Sequence, residues 1–164
     1  MSALEVGTPN NQAETSIAQM RMESIKAGLL GAGAVAIAAI LAWSVLIAVN
    51  SIFSESDRVW AIALPVASTL IEWLVNLAVA ICSGFFFGVT YRYIVRRDDN
   101  LHLGSGAVGA FAFVRSLAQI EALWNDTFAL PLWLLITGES FLWFAVARYM
   151  LDWAIRKSWI KPLN

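Results

Sequence analysis

Four apolar stretches constrain this chain more than any other feature, because each is long enough for the ~20 residues that a helix needs to cross a hydrocarbon layer. They run over residues 27–52, 63–90, 103–124 and 128–152. A chain of 164 residues encloses a single modest interior. With 59% hydrophobic residues, 14% charged residues and a mean hydropathy of +0.67, it has more apolar surface than that interior can hide, and the excess must face lipid. We therefore expect an all-α, polytopic integral membrane protein with a four-helix transmembrane domain over 27–155. A polar N-terminal tail (1–26) precedes that domain and a basic tail (156–164) follows it.

The third stretch is the least apolar, since it carries Arg115, Gln119 and Glu121. A central Arg costs about 2.5–3.5 kcal/mol on insertion scales. The distribution of cations supports a span there all the same. Arg21 and Lys26 precede the first span, Arg92, Arg96 and Arg97 lie between the second and third, and Arg156, Lys157 and Lys161 follow the fourth. The other two connectors hold only Arg58. Positively charged short loops stay on the cytoplasmic side, so four spans place both termini and the middle connector there. Three spans would put the basic C-terminus outside.

Amphipathic rings fall where interfaces are expected: Trp60, Trp124 and Trp133 at the outer one, Tyr91, Tyr93, Trp153 and Trp159 at the inner one. Pro65 and Pro131 fall in the first turns of the second and fourth spans, where a missing N–H is cheap. The segment from Thr15 to Lys26 reads either as a short interfacial helix or as a frayed extension of the first span. No signal peptide is visible, because the polar start from Met1 to Gln19 lacks a basic region followed by a short apolar core.

Several function classes are excluded or disfavoured. Eleven Lys and Arg against twelve Asp and Glu leave no basic field for nucleic acid. The single Cys82 permits neither an intrachain disulfide nor a multi-thiolate metal site, and His102 stands in a charged connector without clustered partners. The chain lacks paired intramembrane His ligands for haem, a phosphate-cradling Gly loop and a usable Ser, His and acid set. An enzyme, and with it any bound cofactor, is not expected.

What stands out is polarity inside the spans. Arg115 is about twelve residues into the third helix and Glu139 about eleven into the fourth, so antiparallel neighbours would bring both to mid-bilayer. We expect them to pair, since neither helix tolerates its charge alone. Gln119, one turn beyond Arg115, would extend the network towards Glu72 and Asn76 on the second helix. That network reads as a structural clamp, as a proton or solute pathway, or as a pigment site in which an Arg-neutralised carboxylate ligates the magnesium of a chlorophyll. Carotenoid binding is a further option.

Small residues form ridges for helix packing: Gly28, Ala32 and Ala36 on the first span, Gly84 and Gly88 on the second, Gly106 and Ala110 on the third. These serve either the bundle itself or the docking of another membrane protein, for which 84–88 (GFFFG) is the favoured face. Arg92, Arg96 and Arg97 are expected to contact anionic lipid head groups. Arg148 and Asp152, four apart, should pair on one helical face.

Three runs, GFFFGVTYRYIVRRDDN (84–100), AFAFVRSLAQIE (110–121) and GESFLWFAVA (138–147), resemble a family of small cyanobacterial thylakoid membrane proteins with chloroplast relatives, mostly of unknown function. The resemblance covers about the last hundred residues, including Arg115, Glu121 and Glu139, and leaves the N-terminal tail unmatched. It implies a thylakoid, or the plasma membrane of such a cell, with the basic side facing cytoplasm or stroma. It offers no catalytic residue to carry over. The expected function is a non-enzymatic accessory that assembles or stabilises larger photosynthetic membrane complexes, with the bilayer and a membrane-protein complex as partners. The alternative is a small homo-oligomeric ion or solute transporter using Glu72, Arg115 and Glu139.

Overall fold

In a computed structural model of the chain, the backbone is described for residues 9–52, 69–95, 101–122 and 130–161. Side chains are described for 17–48, 69–95, 102–122, 130 and 132–161. The described residues form four helices: α1 (Pro9–Ile52), α2 (Leu70–Ile94), α3 (Leu101–Ala122) and α4 (Leu130–Arg156). Each contains a segment long and apolar enough to cross a membrane. The protein is an all-α, four-span membrane protein.

Helix α1 is one continuous rod of 44 residues, about 66 Å at the usual rise. The segment from Thr15 to Lys26 is helical and continuous with the first span, as the extension reading has it. Helix α2 starts later than the apolar pattern suggests. Thr69 caps it in an extended conformation, its hydroxyl accepting the Glu72 N–H at 3.3 Å. Pro65 and the rest of residues 63–68, like Trp60 and Trp124, are outside the described residues. Pro131 is the second residue of α4, where its ring costs no helix hydrogen bond.

Neighbouring helices run antiparallel in the spatial order α2, α1, α4, α3. We call the end that gathers the start of α1 and the finish of α4 the terminal end, and the opposite end the far end. The α1–α2 seam is built from glycine. A methyl group on Gly28 would fall 2.6 Å from the Phe85 ring, and one on Gly84 would fall 2.6 Å from the Gly31 carbonyl and 2.8 Å from Val35 Cβ. Gly88 abuts the Ala27 carbonyl. Lipid provides no hydrophobic force between helices, so this close backbone approach and its dispersion contacts hold the pair. Ala32 is buried beside Gly84, and Ala36 is half-buried at the margin.

Two expectations change here. Within the GFFFG run, Gly84, Phe87 and Gly88 are spent inside the bundle, the two glycines against α1, and Phe86 alone faces outward. Conversely, Gly106 and Ala110 do not pack helices within the chain: both are exposed, and nothing lies within 4 Å of a Cβ on Gly106. A small residue marks where a backbone can approach, not whether the partner is in the same chain. Beside the glycine seam, Phe87 meets Phe111 and Phe144 at ring separations of 5.3 and 5.2 Å, joining α2, α3 and α4. Large apolar residues such as Leu29, Ile37, Leu41 and Val45 face outward, as a lipid-solvated bundle requires.

The chain reverses after α4. Ser158 adopts a left-handed φ of 58°, its N–H bonding the Ile155 carbonyl and that of Trp159 the Ala154 carbonyl, the pattern of a Schellman stop. Trp159 folds back edge-on to Trp153 at 5.0 Å, and Ile160 is buried.

Candidate functional site

Polar chemistry among the described residues concentrates in two places, one at the terminal end and one within the far half of the bundle. At the terminal end, Arg92 is 2% exposed. Its Nε donates to the Lys161 carbonyl at 2.9 Å, and its Nη1 donates to Ser24 Oγ at 2.7 Å and to the Met20 carbonyl at 3.2 Å. One guanidinium thus ties α2 to α1 and to the returning C-terminal tail. Glu23 completes the junction: its carboxylate accepts the Lys161 N–H at 3.0 Å and pairs with Lys26 at 2.8 Å.

This overturns the expectation that Arg92 contacts lipid head groups. The physical reason is periodicity: Gly84, Gly88 and Arg92 follow one another at four-residue steps, so Arg92 continues the face that packs on α1. Arg96 and Arg97 lie outside the described residues.

A second set of bonds closes the same end. The Tyr91 hydroxyl donates to Asp152 at 2.6 Å, and Asp152 lies 3.6 Å from Arg148, which in turn donates to Ser105 Oγ at 2.8 Å. Gly104 leaves the room this needs, since a methyl there would fall 2.9 Å from the Tyr91 oxygen. The set links α2, α3 and α4. Arg148 and Asp152 pair as their spacing predicts; the reach of Tyr91 into the pair has no signal in spacing.

The far half holds the other cluster. The Arg115 guanidinium lies over the ring of the fully buried Trp143, 3.8 Å from its centroid. Glu139 is within electrostatic reach of Arg115 and of the Trp43 indole. No direct Arg115–Glu139 ion pair forms, contrary to the expected pairing, because the guanidinium stacks on the indole instead. Trp43 stands edge-on to both Trp73, at 5.0 Å, and Trp143, at 5.8 Å. Gln119 follows one turn beyond Arg115. Buried atoms of this group, Arg115 Nε, Gln119 Oε1, Glu139 Oε1 and Trp143 Nε1, have no hydrogen-bond partner among the described residues.

Glu72 and Asn76 do not belong to this cluster. Glu72 is the third residue of α2, exposed, with its backbone N–H bound to the Thr69 cap; Asn76 is likewise exposed. The Thr-x-x-Glu spacing is a capping box, a signal that places Glu72 at a helix start rather than at mid-bilayer. Sequence reasoning also missed Trp43 and Trp143, whose role follows from packing across helices.

The described residues contain no group of three or more His, Cys, Asp or Glu that could hold a metal ion. Chemically, the far cluster offers both donors and acceptors around balanced charges, against an aromatic wall. No protein-family model, curated protein or solved structure matches the chain.

Proposed function

We propose that this chain is a non-enzymatic accessory protein that assembles or stabilises larger complexes of a photosynthetic membrane. The photosynthetic setting rests on the resemblance carried by residues 84–100, 110–121 and 138–147. The cation count supports a terminal end on the cytoplasmic or stromal side.

One observation carries the choice of an accessory over a carrier: Arg92 and the Tyr91–Asp152–Arg148–Ser105 set fasten all four helices to one another at a single end. Alternating access requires both ends of a bundle to open in turn. Opening the terminal end would break several hydrogen bonds to charged groups, each of about 1.5–3 kcal/mol. A bundle pinned in that way suits a static partner. The exposed Gly106 and Ala110, four apart on α3, give an adjoining helix a place to approach closely. The carrier reading also loses a member of its charge relay, as Glu72 lies at a helix start on the far surface.

Gentle solubilisation of the tagged chain tests this reading. A membrane-protein partner recovered in fixed ratio supports it. A lone monomer overturns it, as does a homo-oligomer giving pH-dependent flux in liposomes.

A further inference from the structure

We propose that the outward face of α4 at the terminal end, formed by Tyr149, Trp153, Arg156 and Lys157 together with Trp159 of the returning tail, binds the head group of an anionic phospholipid. The inference goes beyond the accessory reading and does not depend on it. Leu142, Ala145, Tyr149, Trp153 and Arg156 follow one another at steps of three or four residues along one side of α4, and all are exposed. Over ~21 Å of helix axis this stripe passes from aliphatic to aromatic to cationic. A phospholipid standing beside a helix presents the matching succession of acyl chain, ester level and phosphate.

Charge on this surface is uncompensated. Arg156 and Lys157 follow Trp153 by three and four residues, and Trp159 stands edge-on to that ring at 5.0 Å, so cations and indoles share one patch. Neither cation pairs with an acid among the described residues. The described acids of this end are committed elsewhere, Asp152 to Tyr91 and Arg148, and Glu23 to Lys26 and the Lys161 N–H. A phosphodiester complements the positive charge that is left.

Cations in the last turn of a helix also answer its macrodipole, but that role asks for no aromatic ring beside them. Here two indoles are held in the open, Trp153 at 42% exposure and Trp159 at 64%. The left-handed Ser158 turns the chain back, and beyond Trp159 the buried Ile160 and the bonds from Lys161 to Arg92 and Glu23 fix the tail. The Trp159 ring is therefore set against Trp153 in advance, and a ligand need not order the tail in order to bind. An indole has an apolar body and a polar N–H, the combination that the ester level of a bilayer accommodates and bulk water does not.

The test uses the full chain in phosphatidylcholine nanodiscs that carry a rising fraction of a phospholipid brominated near its ester, either phosphatidylglycerol or phosphatidylcholine, while tryptophan quenching is followed. In the wild type, the brominated phosphatidylglycerol should reach half-maximal quenching at a mole fraction at least fourfold lower than the brominated phosphatidylcholine. Arg156→Gln and Lys157→Gln should each shrink that ratio at least twofold, whereas Arg21→Gln, an equal loss of charge from α1, should leave it unchanged. All three side chains are exposed, so the variants keep the fold. Trp159→Leu should remove part of the quenching that is specific to phosphatidylglycerol. Equal midpoints for the two lipids in the wild type overturn the proposal, the result if this patch meets an acidic protein segment instead. So does an equal loss in Arg21→Gln, the result of diffuse charge alone, and so does unchanged specific quenching in Trp159→Leu, which would put the bound lipid beside another tryptophan. The readout needs no partner protein, so it fails or succeeds separately from the co-purification test of accessory function.

Discussion

Replacing Gly84 by alanine places one methyl group 2.6 Å from the Gly31 carbonyl oxygen, 2.8 Å from Val35 Cβ and 2.9 Å from Ala32 Cα. Two of these are backbone atoms and the third is the stem of a β-branched side chain, so no rotamer change relieves the contact. Helix α1 must withdraw from α2 by roughly 0.5–1 Å, a gap that forfeits about a quarter to a half of each dispersion well along the seam. Overpacking of this kind costs about 1–3 kcal/mol. Alanine returns up to ~1 kcal/mol of helix propensity. Gly33→Ala isolates that return, because nothing lies within 4 Å of a Cβ there. In thermal unfolding in mild detergent, Gly84→Ala should therefore melt well below the wild type and Gly33→Ala at or slightly above it. Equal melting of the two variants would refute the claim that backbone proximity holds α1 to α2.

The other predictions concern the polar clusters. Arg92→Ala leaves the Met20 and Lys161 carbonyls without their donor and should cost about 2–4 kcal/mol, with tryptic cleavage after Lys157 accelerated as the tail detaches. Arg92→Lys should recover only part of this, since one ammonium cannot span the acceptors that the planar fork reaches. Tyr91→Phe removes the 2.6 Å bond to Asp152 and should cost about 1–2 kcal/mol in the same melting assay, while Tyr93→Phe, at an exposed ring, should cost less. In a double-mutant cycle, Glu139→Leu should destabilise more in the presence of Arg115 than in an Arg115→Met background, with a coupling of about 0.5–2 kcal/mol; strict additivity would show that the two charges do not sense each other.

The four spans were legible because lipid imposes a length and a polarity that no other environment asks of a chain. Gly28, Gly84 and Gly88 were legible for a related reason: helices in lipid associate where backbones can touch. The same logic misassigned Gly106 and Ala110, as their spacing is identical whether the neighbouring helix is in this chain or another. Glu72 was placed too deep because the apolar text begins at Ala63, whereas the helix begins after the Thr69 cap. Arg92 was counted as a topological charge, although its register with Gly84 and Gly88 put it on the buried face. Spacing brought Arg115 and Glu139 to one region but could not show that the guanidinium stacks on Trp143.

The indole under Arg115 decides how the far cluster holds its charges. A direct Arg115–Glu139 bridge would saturate both groups, and a saturated pair in hydrocarbon is a clamp with nothing left to offer. Stacking on Trp143 stabilises the guanidinium through the ring quadrupole, while its Nε stays buried without a hydrogen-bond partner among the described residues. Glu139 keeps the benefit of the nearby positive charge without losing both of its oxygens to it. At the terminal end the opposite choice is made, with the Arg92 edge committed to the Met20 and Lys161 carbonyls and to Ser24. Replacing Trp143 by leucine should therefore do more than open a cavity. With the ring gone, Arg115 is free to swing onto Glu139 and pair with it directly.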